Sequence, residues 1–308
     1  MKCIICNKDK EPREFSKEHV IPESAGSSYF IDTVCKDCNN LLGRTIDKKF
    51  LDNFYVKIFL SKFDIKNKKG KLPKLWTKLP ARKNSKIKGI PQYNQFNNQF
   101  NGWKFNNALI NLDGSTHLVF DSNEDIEDVL REFEDDELPK EVIREKFYKG
   151  DYLDEPQELV LNKEVSLDEL FFEAIKIAYE FASSILNEDY FNDSFAIEFQ
   201  EILLNSSEYA LEDIKKYFFN FNFGDSIFDD TIHSIFLIRV ENSVVVSINL
   251  FNCFVFSVEV SKNLNLIPKN LFANFLLINL DGTSSEYNIM YDDLESLELI
   301  DRLKKNKF

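Results

Sequence analysis

Apolar and polar residues alternate along the chain with two periods, one helical and one typical of strands. Apolar residues recur at helical spacing over about residues 44–61, which predicts one amphipathic helix. The sequence Ser-Leu-Asp-Glu at 166–169 has the form of a capping box and predicts a helix that continues to about residue 186. Further helices are predicted over about 193–204 and 292–305.

The last third of the chain changes to the period of β-strands. Val, Ile and Phe occur in alternating runs over residues 231–289, which predicts antiparallel strands joined by short turns. The hexapeptide Leu-Ile-Asn-Leu-Asp-Gly occurs at 109–114 and again at 277–282, and each copy predicts a strand that enters an Asp-Gly turn. Residues 121–155 are strongly acidic and indicate a charged helix or a linker.

Charge divides the 308 residues into two parts. Lys and Arg number 21 against 10 Asp and Glu in residues 1–90, whereas 17 face 42 in residues 91–308. The net charge of −14 argues against a general affinity for nucleic acid, but the basic N-terminal part could face a polyanion. Chance clustering on a solvated surface is the alternative.

The chain has no feature of a membrane or secreted protein. No apolar run reaches the roughly 18 residues that a membrane helix needs, and the N-terminus becomes polar too soon for a signal peptide. We therefore expect a cytoplasmic protein without a membrane partner, whose thiols stay reduced.

Four of the five cysteines lie in the first 38 residues as two Cys-x2-Cys pairs. In a reducing compartment this spacing is typical of a tetrahedral structural zinc site, whereas disulfides or a redox pair fit the context poorly. The fifth, Cys253, lies in a Phe- and Val-rich segment and is predicted to be a small buried residue. The predicted zinc ligands are Cys3, Cys6, Cys35 and Cys38.

The segment between the two cysteine pairs contains residues suited to phosphodiester hydrolysis. Glu18 and His19 are adjacent, and Asn39 directly follows the last cysteine of the second pair. A neutral imidazole can take a proton from water near neutral pH. Carboxylate and amide oxygens are ligands that suit Mg²⁺ or Mn²⁺. These residues are the components of a one-metal phosphodiesterase.

At these motifs the sequence resembles a known family. Cys-x2-Cys, then Glu-His-Val-Ile-Pro-Glu-Ser-x-Gly, then Val-Cys-x2-Cys-Asn-Asn-x-Leu-Gly is similar to the zinc-bearing HNH endonucleases with their ββα-metal fold. The first 43 residues carry the specific resemblance, and later segments, including 175–180, resemble bacterial HNH proteins more loosely. The resemblance implies a small N-terminal ββα-metal zinc module, and the helical and strand patterns add a larger mixed α/β domain with antiparallel strands. Together they predict an α+β protein.

The resemblance also implies roles for individual residues. His19 takes the place of the general base, Glu18 that of the acidic metal ligand, and Asn39 that of the second ligand, with Asn40 as the alternative if the register is shifted by one. The middle Asn of the family signature has no clear counterpart, and the nearest polar residues are Asp32 and Thr33. Outside the signature, His117 and His233 are predicted to be structural. Glu23, within it, is not predicted to be a ligand.

A basic tract follows the nuclease-like segment. No acidic residue occurs between Asp64 and Asp113, and cations in such a tract could bind phosphates without sequence preference. A solvated loop is the alternative. The predicted DNA contacts are Lys68, Lys69, Lys71, Lys74, Arg82 and Lys83.

Together these patterns predict a metal-dependent endonuclease that acts on DNA, more readily double-stranded than single-stranded. We expect a nuclease module at 1–45, a helix and basic region at 46–120 and an acidic α+β domain at 121–308. The acidic domain could bind a regulatory partner or ligand or form a homo-oligomer, as in an effector of bacterial anti-phage defence. The alternative function is a zinc protein that binds nucleic acid without cleaving it.

Overall fold

The computed structural model divides the chain into two compact units, Met1–Pro73 with Val165–Phe308, and Lys74–Glu164. It describes residues 1–67, 69–73, 166–219 and 231–290, together with the backbone of five short strands of the second unit. The predicted domain limits at residues 45 and 120 stay predictions. The predicted acidic segment 121–155 and the predicted helix 292–305 lie outside the described residues.

The N-terminal module consists of a hairpin followed by a helix. Strand β1 (Phe15–His19) pairs antiparallel with β2 (Phe30–Cys35), so that His19 lies opposite Phe30. Helix α1 (Lys36–Leu42) begins directly at the end of β2 and continues through a π-helical turn, Gly43–Asp47, into α2 (Lys48–Asp52). This is the ββα arrangement that the sequence resemblance implied.

The single helix predicted over residues 44–61 is interrupted at Asn53. The Asn53 backbone is extended, with ψ at 138°, and its side-chain oxygen accepts a hydrogen bond from the backbone nitrogen of Tyr55 at 3.0 Å. Helix α3 (Phe54–Lys62) therefore begins afresh with a shifted face. Val56 and Leu60 are buried, whereas the neighbouring Tyr55 is exposed.

The predicted capped helix at 166–186 is present as α4 (Asp168–Ile185). The Ser166 hydroxyl accepts a hydrogen bond from the Asp168 backbone nitrogen at 3.0 Å, as expected of a helix start. The predicted helix at 193–204 is α5 (Ser194–Leu204), capped by the Asp193 carboxylate, and a short α6 (Leu211–Ile214) follows. Three-residue or five-residue 3₁₀ turns occur at Pro12–Glu14, Glu23–Ala25, Glu188–Asn192, Lys215–Tyr217 and Leu264–Leu266.

The strands predicted over 231–289 form one antiparallel sheet in the order β10-β9-β8-β11-β12. The predicted Asp-Gly turn joins the last two strands, and Gly282 adopts a φ of 93° that favours glycine. The strands are β8 (Ile232–Val240), β9 (Ser243–Leu250), β10 (Phe254–Ser261), β11 (Leu271–Asn279) and β12 (Ser284–Met290).

Helix α4 is the centre of this first unit. One side packs on β9 and β10, and another faces α2 and the π-helical turn of the N-terminal module, so its central residues are buried on nearly all sides. Helix α3 also packs on the sheet region, where the Phe59 ring stacks on Phe251 with centroids 5.6 Å apart. None of the described helices is long and apolar enough to cross a membrane.

The described parts of the second unit are antiparallel strands. One group has three strands in the order β3-β4-β5, and β6 pairs with β7. The first copy of the repeated hexapeptide contributes β6, as predicted. The strands are β3 (Leu79–Pro80), β4 (Lys88–Tyr93), β5 (Phe100–Phe105), β6 (Leu109–Ile110) and β7 (Thr116–His117).

Candidate active site

The two Cys-x2-Cys pairs converge at one end of the N-terminal module. The first pair lies in a tight turn in which the Asn7 backbone nitrogen donates to the Cys3 carbonyl at 2.9 Å. The second pair spans the junction of β2 and α1, where Cys35 ends the strand and Cys38 lies in the first helical turn. The ligand atoms of the four cysteines all lie within 4.8 Å of one another, which fits a tetrahedral zinc site.

The four thiols interact as one group. A hydrogen bond with Cys38 lowers the pKa of Cys3 to about 4, and the same interaction raises the pKa of Cys38. The Cys35 backbone nitrogen also donates to the Cys3 sulfur at 3.3 Å. Thiolates this close repel one another, so a bound cation is what would allow all four to ionise together.

The turn that carries Cys3 and Cys6 is held by the middle helices of the chain. The Ile4 carbonyl accepts hydrogen bonds from the Tyr179 hydroxyl of α4 and from the Gln200 side chain of α5, the latter at 3.0 Å. Gln200 also donates to the Tyr179 hydroxyl at 2.9 Å. All three groups are buried, and they form a neutral network that fastens the zinc turn to α4 and α5.

His19 lies at the end of β1, half-buried, on a surface that also contains an aromatic ring and a cation. Its imidazole meets the Phe30 ring edge to face with centroids 6.1 Å apart. The Lys17 ammonium lies 4.1 Å from the centre of the same ring. Phe30 is 42% exposed, so this edge of the hairpin presents an imidazole, a ring and a positive charge together.

Asn39 contacts the strand that carries His19, and Asn40 does not. The Asn39 side-chain nitrogen donates to the Lys17 carbonyl at 2.8 Å, which fixes the amide group and leaves its oxygen as the candidate ligand atom. Asn40 is exposed on the helix, and its backbone carbonyl accepts from the Arg44 side chain at 3.2 Å.

Glu18 points into the protein. Only 2% of its side chain is exposed, and its Oε1 lies 2.9 Å from the Lys176 ammonium of α4. The same ammonium donates to the His19 carbonyl at 3.0 Å and to the Asp47 carboxylate at 2.8 Å. Burial raises the pKa of Glu18, and Asp47 adds to this effect, whereas Lys176 opposes it.

Two more acids of α4 surround this cation. Glu173 and Glu180 are fully buried, and their carboxylate oxygens meet no hydrogen-bond donor within the described residues. Burial raises the pKa of both well above the ordinary value, which favours neutral acids. The negative charges of Asp47 and Glu18 add to the rise in the pKa of Glu173, whereas Lys176 opposes it.

Lys176 itself is fully buried and charged. Burial opposes its charge, but the surrounding carboxylates, Asp47 foremost, hold its pKa well above the ordinary value. Sequence reasoning did not find this residue. The available signal was the spacing of Glu173, Lys176 and Glu180, which places three charges on one face of an otherwise apolar helix.

Only part of the predicted DNA-contact tract is described. Lys69 and Lys71 are exposed in a tight turn, where the Asn67 side-chain oxygen accepts from their backbone nitrogens at 2.9 and 3.1 Å. The remaining predicted contacts, Lys68, Lys74, Arg82 and Lys83, lie outside the described residues.

The other singled-out residues have different outcomes. His233 is buried: its Nε2 donates to the Ala25 carbonyl at 2.9 Å and its Nδ1 accepts from the Phe251 backbone nitrogen at 3.3 Å, so its position is structural, as predicted. The His117 side chain lies outside the described part of the chain. The prediction for Cys253 is wrong: the residue is exposed, because it lies in the turn between β9 and β10.

Comparison with known proteins gives one match. Residues 3–55 match the family described as HNH endonuclease, a range that covers the cysteine cluster, the β1–β2 hairpin and α1. The family resemblance inferred from the sequence is therefore confirmed for this module, and residues 56–308 lie outside the match. The comparisons with curated proteins and with solved structures found no match.

The side chains around His19 fit a divalent cation in the type of donor they offer. Glu18 has a carboxylate of the right chemical type, but its Oε1 contacts the Lys176 ammonium and only 2% of its side chain is exposed, so it does not face solvent as the half-buried His19 does. Asn39 supplies an amide oxygen held in place through its nitrogen. Both are hard oxygen donors, which suit Mg²⁺ or Mn²⁺ better than a softer metal.

Proposed function

We propose that this protein is a metal-dependent HNH endonuclease that hydrolyses phosphodiester bonds of DNA. The observation that carries the proposal is the HNH match over residues 3–55, within which a half-buried imidazole lies on a hairpin pinned by four cysteines. His19 is the general base, Glu18 and Asn39 hold the catalytic cation, and the cysteines hold structural zinc.

The chemistry follows from what these side chains can do. The His19 imidazole takes a proton from water as the water attacks phosphorus. A divalent cation, when bound, neutralises charge on the phosphate and on the leaving 3′-oxygen. Asn39 presents an amide oxygen from α1, and its hydrogen bond to the Lys17 carbonyl ties that helix to β1. Glu18 would add its carboxylate from β1 if the buried pair with Lys176 opens towards the cation. Cleavage of this kind leaves a 5′-phosphate and a 3′-hydroxyl.

Positive charge beside the imidazole supports a nucleic-acid substrate. Lys17 lies next to His19 across the Phe30 ring, and Lys69 and Lys71 are exposed in the tight turn after α3. Such cations contact phosphates rather than bases, so we expect double-stranded DNA to be cut with little sequence preference. A role as a regulated effector in anti-phage defence rests on the sequence alone and predicts toxicity only under a specific trigger.

A plasmid-nicking assay tests the proposal. Wild-type protein should nick supercoiled DNA with Mg²⁺ or Mn²⁺ and not with EDTA, and His19→Ala should lower the rate by about 10²–10⁴-fold because the general base is lost. His117→Ala is the matched control, since it removes a histidine from the other unit of the chain.

Zinc content and melting temperature should be the same in wild type and His19→Ala. If the two proteins bind DNA equally, without added metal and without cleavage, the protein is a non-catalytic zinc module and the proposed function is wrong.

A further inference from the structure

The end of β1 is held by a residue that lies far away in sequence. The Lys176 ammonium donates to the His19 backbone carbonyl at 3.0 Å, across 157 residues of sequence. It also contacts the carboxylate of the preceding residue, Glu18, at 2.9 Å. One side chain of α4 therefore contacts both adjacent residues to which the proposed function gives a catalytic role.

A third contact fixes the ammonium itself. Asp47, at the end of the π-helical turn that follows α1, accepts from Lys176 at 2.8 Å. The ammonium has three donors, and they meet three oxygens from two parts of the N-terminal module, the end of β1 and the end of the π-helical turn. This arrangement sets the position of the strand relative to the helix that carries Asn39.

The surroundings allow little alternative geometry. Lys176 is fully buried and Glu18 is 2% exposed, so water cannot replace either partner without opening the interface. A buried ammonium without its oxygen partners would be strongly unfavourable. The strand therefore stays in contact with Lys176 as long as the interface is closed.

From these contacts we propose that Lys176 is a positioning residue of the nuclease site, which fixes His19 through its backbone carbonyl and Glu18 through its carboxylate. The inference rests on the proposed function, and it adds that the HNH module alone is incomplete without α4. Lys176 touches neither substrate nor water in this role. Loss of such a supporting contact typically lowers activity or metal affinity by about 10- to 100-fold.

The variant that tests this role removes the cation together with one of its acids. Lys176→Met alone would leave the Asp47 carboxylate, which accepts from the ammonium, without a counter-charge, so we combine it with Asp47→Asn. The double variant should keep its zinc and lower kcat by about 10- to 100-fold, with a smaller change in KM for DNA. Lys176→Arg, which retains the charge and the donors, should have a kcat between those of the double variant and wild type.

A matched control lies on the same helix. Tyr179→Phe removes another hydrogen bond from α4 to a backbone carbonyl of the module, at Ile4 rather than at His19. It should leave kcat unchanged. A purely structural role of Lys176 predicts instead that both variants change the melting temperature and neither changes kcat.

A measurement without metal or DNA reads the position of His19 directly. The chain has three histidines, so imidazole NMR signals can be assigned by single substitution, with His19→Ala identifying the relevant one. The His19 signal should shift or broaden in the Lys176→Met/Asp47→Asn protein while the His233 signal stays in place. Tyr179→Phe should move neither signal.

The outcomes separate the two proposals. A folded double variant with wild-type kcat and an unchanged His19 signal overturns the positioning role. If that variant does not fold, Lys176→Gln with Asp47→Asn replaces it, because the shorter amide keeps one donor but cannot bridge Glu18 and the His19 carbonyl. An unchanged His19 signal in that protein overturns the role as well. Absence of cleavage by wild type refutes the proposed function, and the NMR comparison still decides whether Lys176 fixes His19.

Discussion

Helix α4 contacts the N-terminal module at two places, and the two contacts are made by different kinds of groups. At the zinc turn, the Ile4 carbonyl receives neutral donors, the Tyr179 hydroxyl and the Gln200 amide. At the end of β1, the His19 carbonyl accepts from the Lys176 ammonium, which lies among acidic side chains of β1, α4 and the π-helical turn. The first contact buries only neutral groups, whereas the second buries charge.

The difference indicates what each contact contributes. A buried hydrogen bond between neutral groups makes a modest net contribution to stability, because desolvating neutral groups costs less free energy than desolvating charges. A buried ion pair loses much of its attraction to desolvation, and it is weak as a source of stability. We therefore expect a zinc ion on the four cysteines, together with neutral hydrogen bonds, to stabilise the zinc turn, and the charged contact at His19 to fix geometry more than to add stability.

The largest effect should come from a change in the four-cysteine cluster. Cys35→Ser removes one of four zinc ligands, and structural zinc contributes about 10–16 kcal/mol of apparent binding free energy to folding. We expect loss of bound zinc by elemental analysis and unfolding of the hairpin by NMR. Cys253→Ser, which changes an exposed thiol outside the cluster, should keep the full zinc content. Retention of zinc by Cys35→Ser would contradict the proposed four-cysteine site.

A second, smaller effect should appear on acidification at the loop that follows β1. Burial lowers the pKa of His233 from 6.5 to about 4, so the folded state binds this proton less readily than the unfolded state. The contribution of neutral His233 to the free energy of unfolding is therefore fully present above about pH 6.5. It is lost as the pH falls towards 4, and the total loss is about 3 kcal/mol.

Denaturant unfolding at a series of pH values measures this loss. His233→Gln keeps a side-chain donor for the Ala25 carbonyl but cannot titrate, so its stability should fall less steeply between pH 6.5 and 4. Equal slopes for the two proteins would show that His233 does not control this range.

Loss of a neutral contact should have a modest effect. Tyr179→Phe removes the hydroxyl that donates to the Ile4 carbonyl, but Gln200 still donates to the same oxygen. We expect a decrease of about 1 kcal/mol in the free energy of unfolding, with zinc retained. A loss of zinc from this variant would mean that the hydroxyl supports the metal site directly.

The smallest effect should come from the surface of the module. The Lys10 ammonium lies 3.4 Å from Glu14 and 3.2 Å from Asp37, and solvent screens both pairs. Lys10→Ala should leave the melting temperature and the zinc content unchanged within error. A clear drop in melting temperature would show that the surface pairs matter as much as the buried contacts.

The sequence predicted features that depend on local pattern. Two Cys-x2-Cys pairs predicted the thiol cluster, and the capping sequence at Ser166 predicted the start of α4. The alternation of apolar and polar residues predicted the sheet. Each of these signals lies within a few residues of the feature that it specifies, because capping, turn and strand chemistry are local. The break at Asn53 was also local, but the apolar spacing on both sides concealed it.

Long-range pairing could not be predicted in the same way. Nothing in the sequence indicates which of 38 Lys and Arg residues pairs with Glu18, since the choice depends on how α4 packs against the hairpin. For the same reason the sequence suggested Glu18 as a metal ligand and gave no sign of its burial beside Lys176. The proposed roles of His19, Glu18 and Asn39 stay predictions until the nicking assay is done.

The residues of the N-terminal module are synthesised well before the α4 residues that contact them. Ile4 precedes Tyr179 by 175 residues and His19 precedes Lys176 by 157. At ordinary translation speeds the ribosome needs roughly 10–30 s to cover that distance. For that interval the nascent hairpin lacks its contacts with α4, and the proposed catalytic geometry is completed once α4 has emerged.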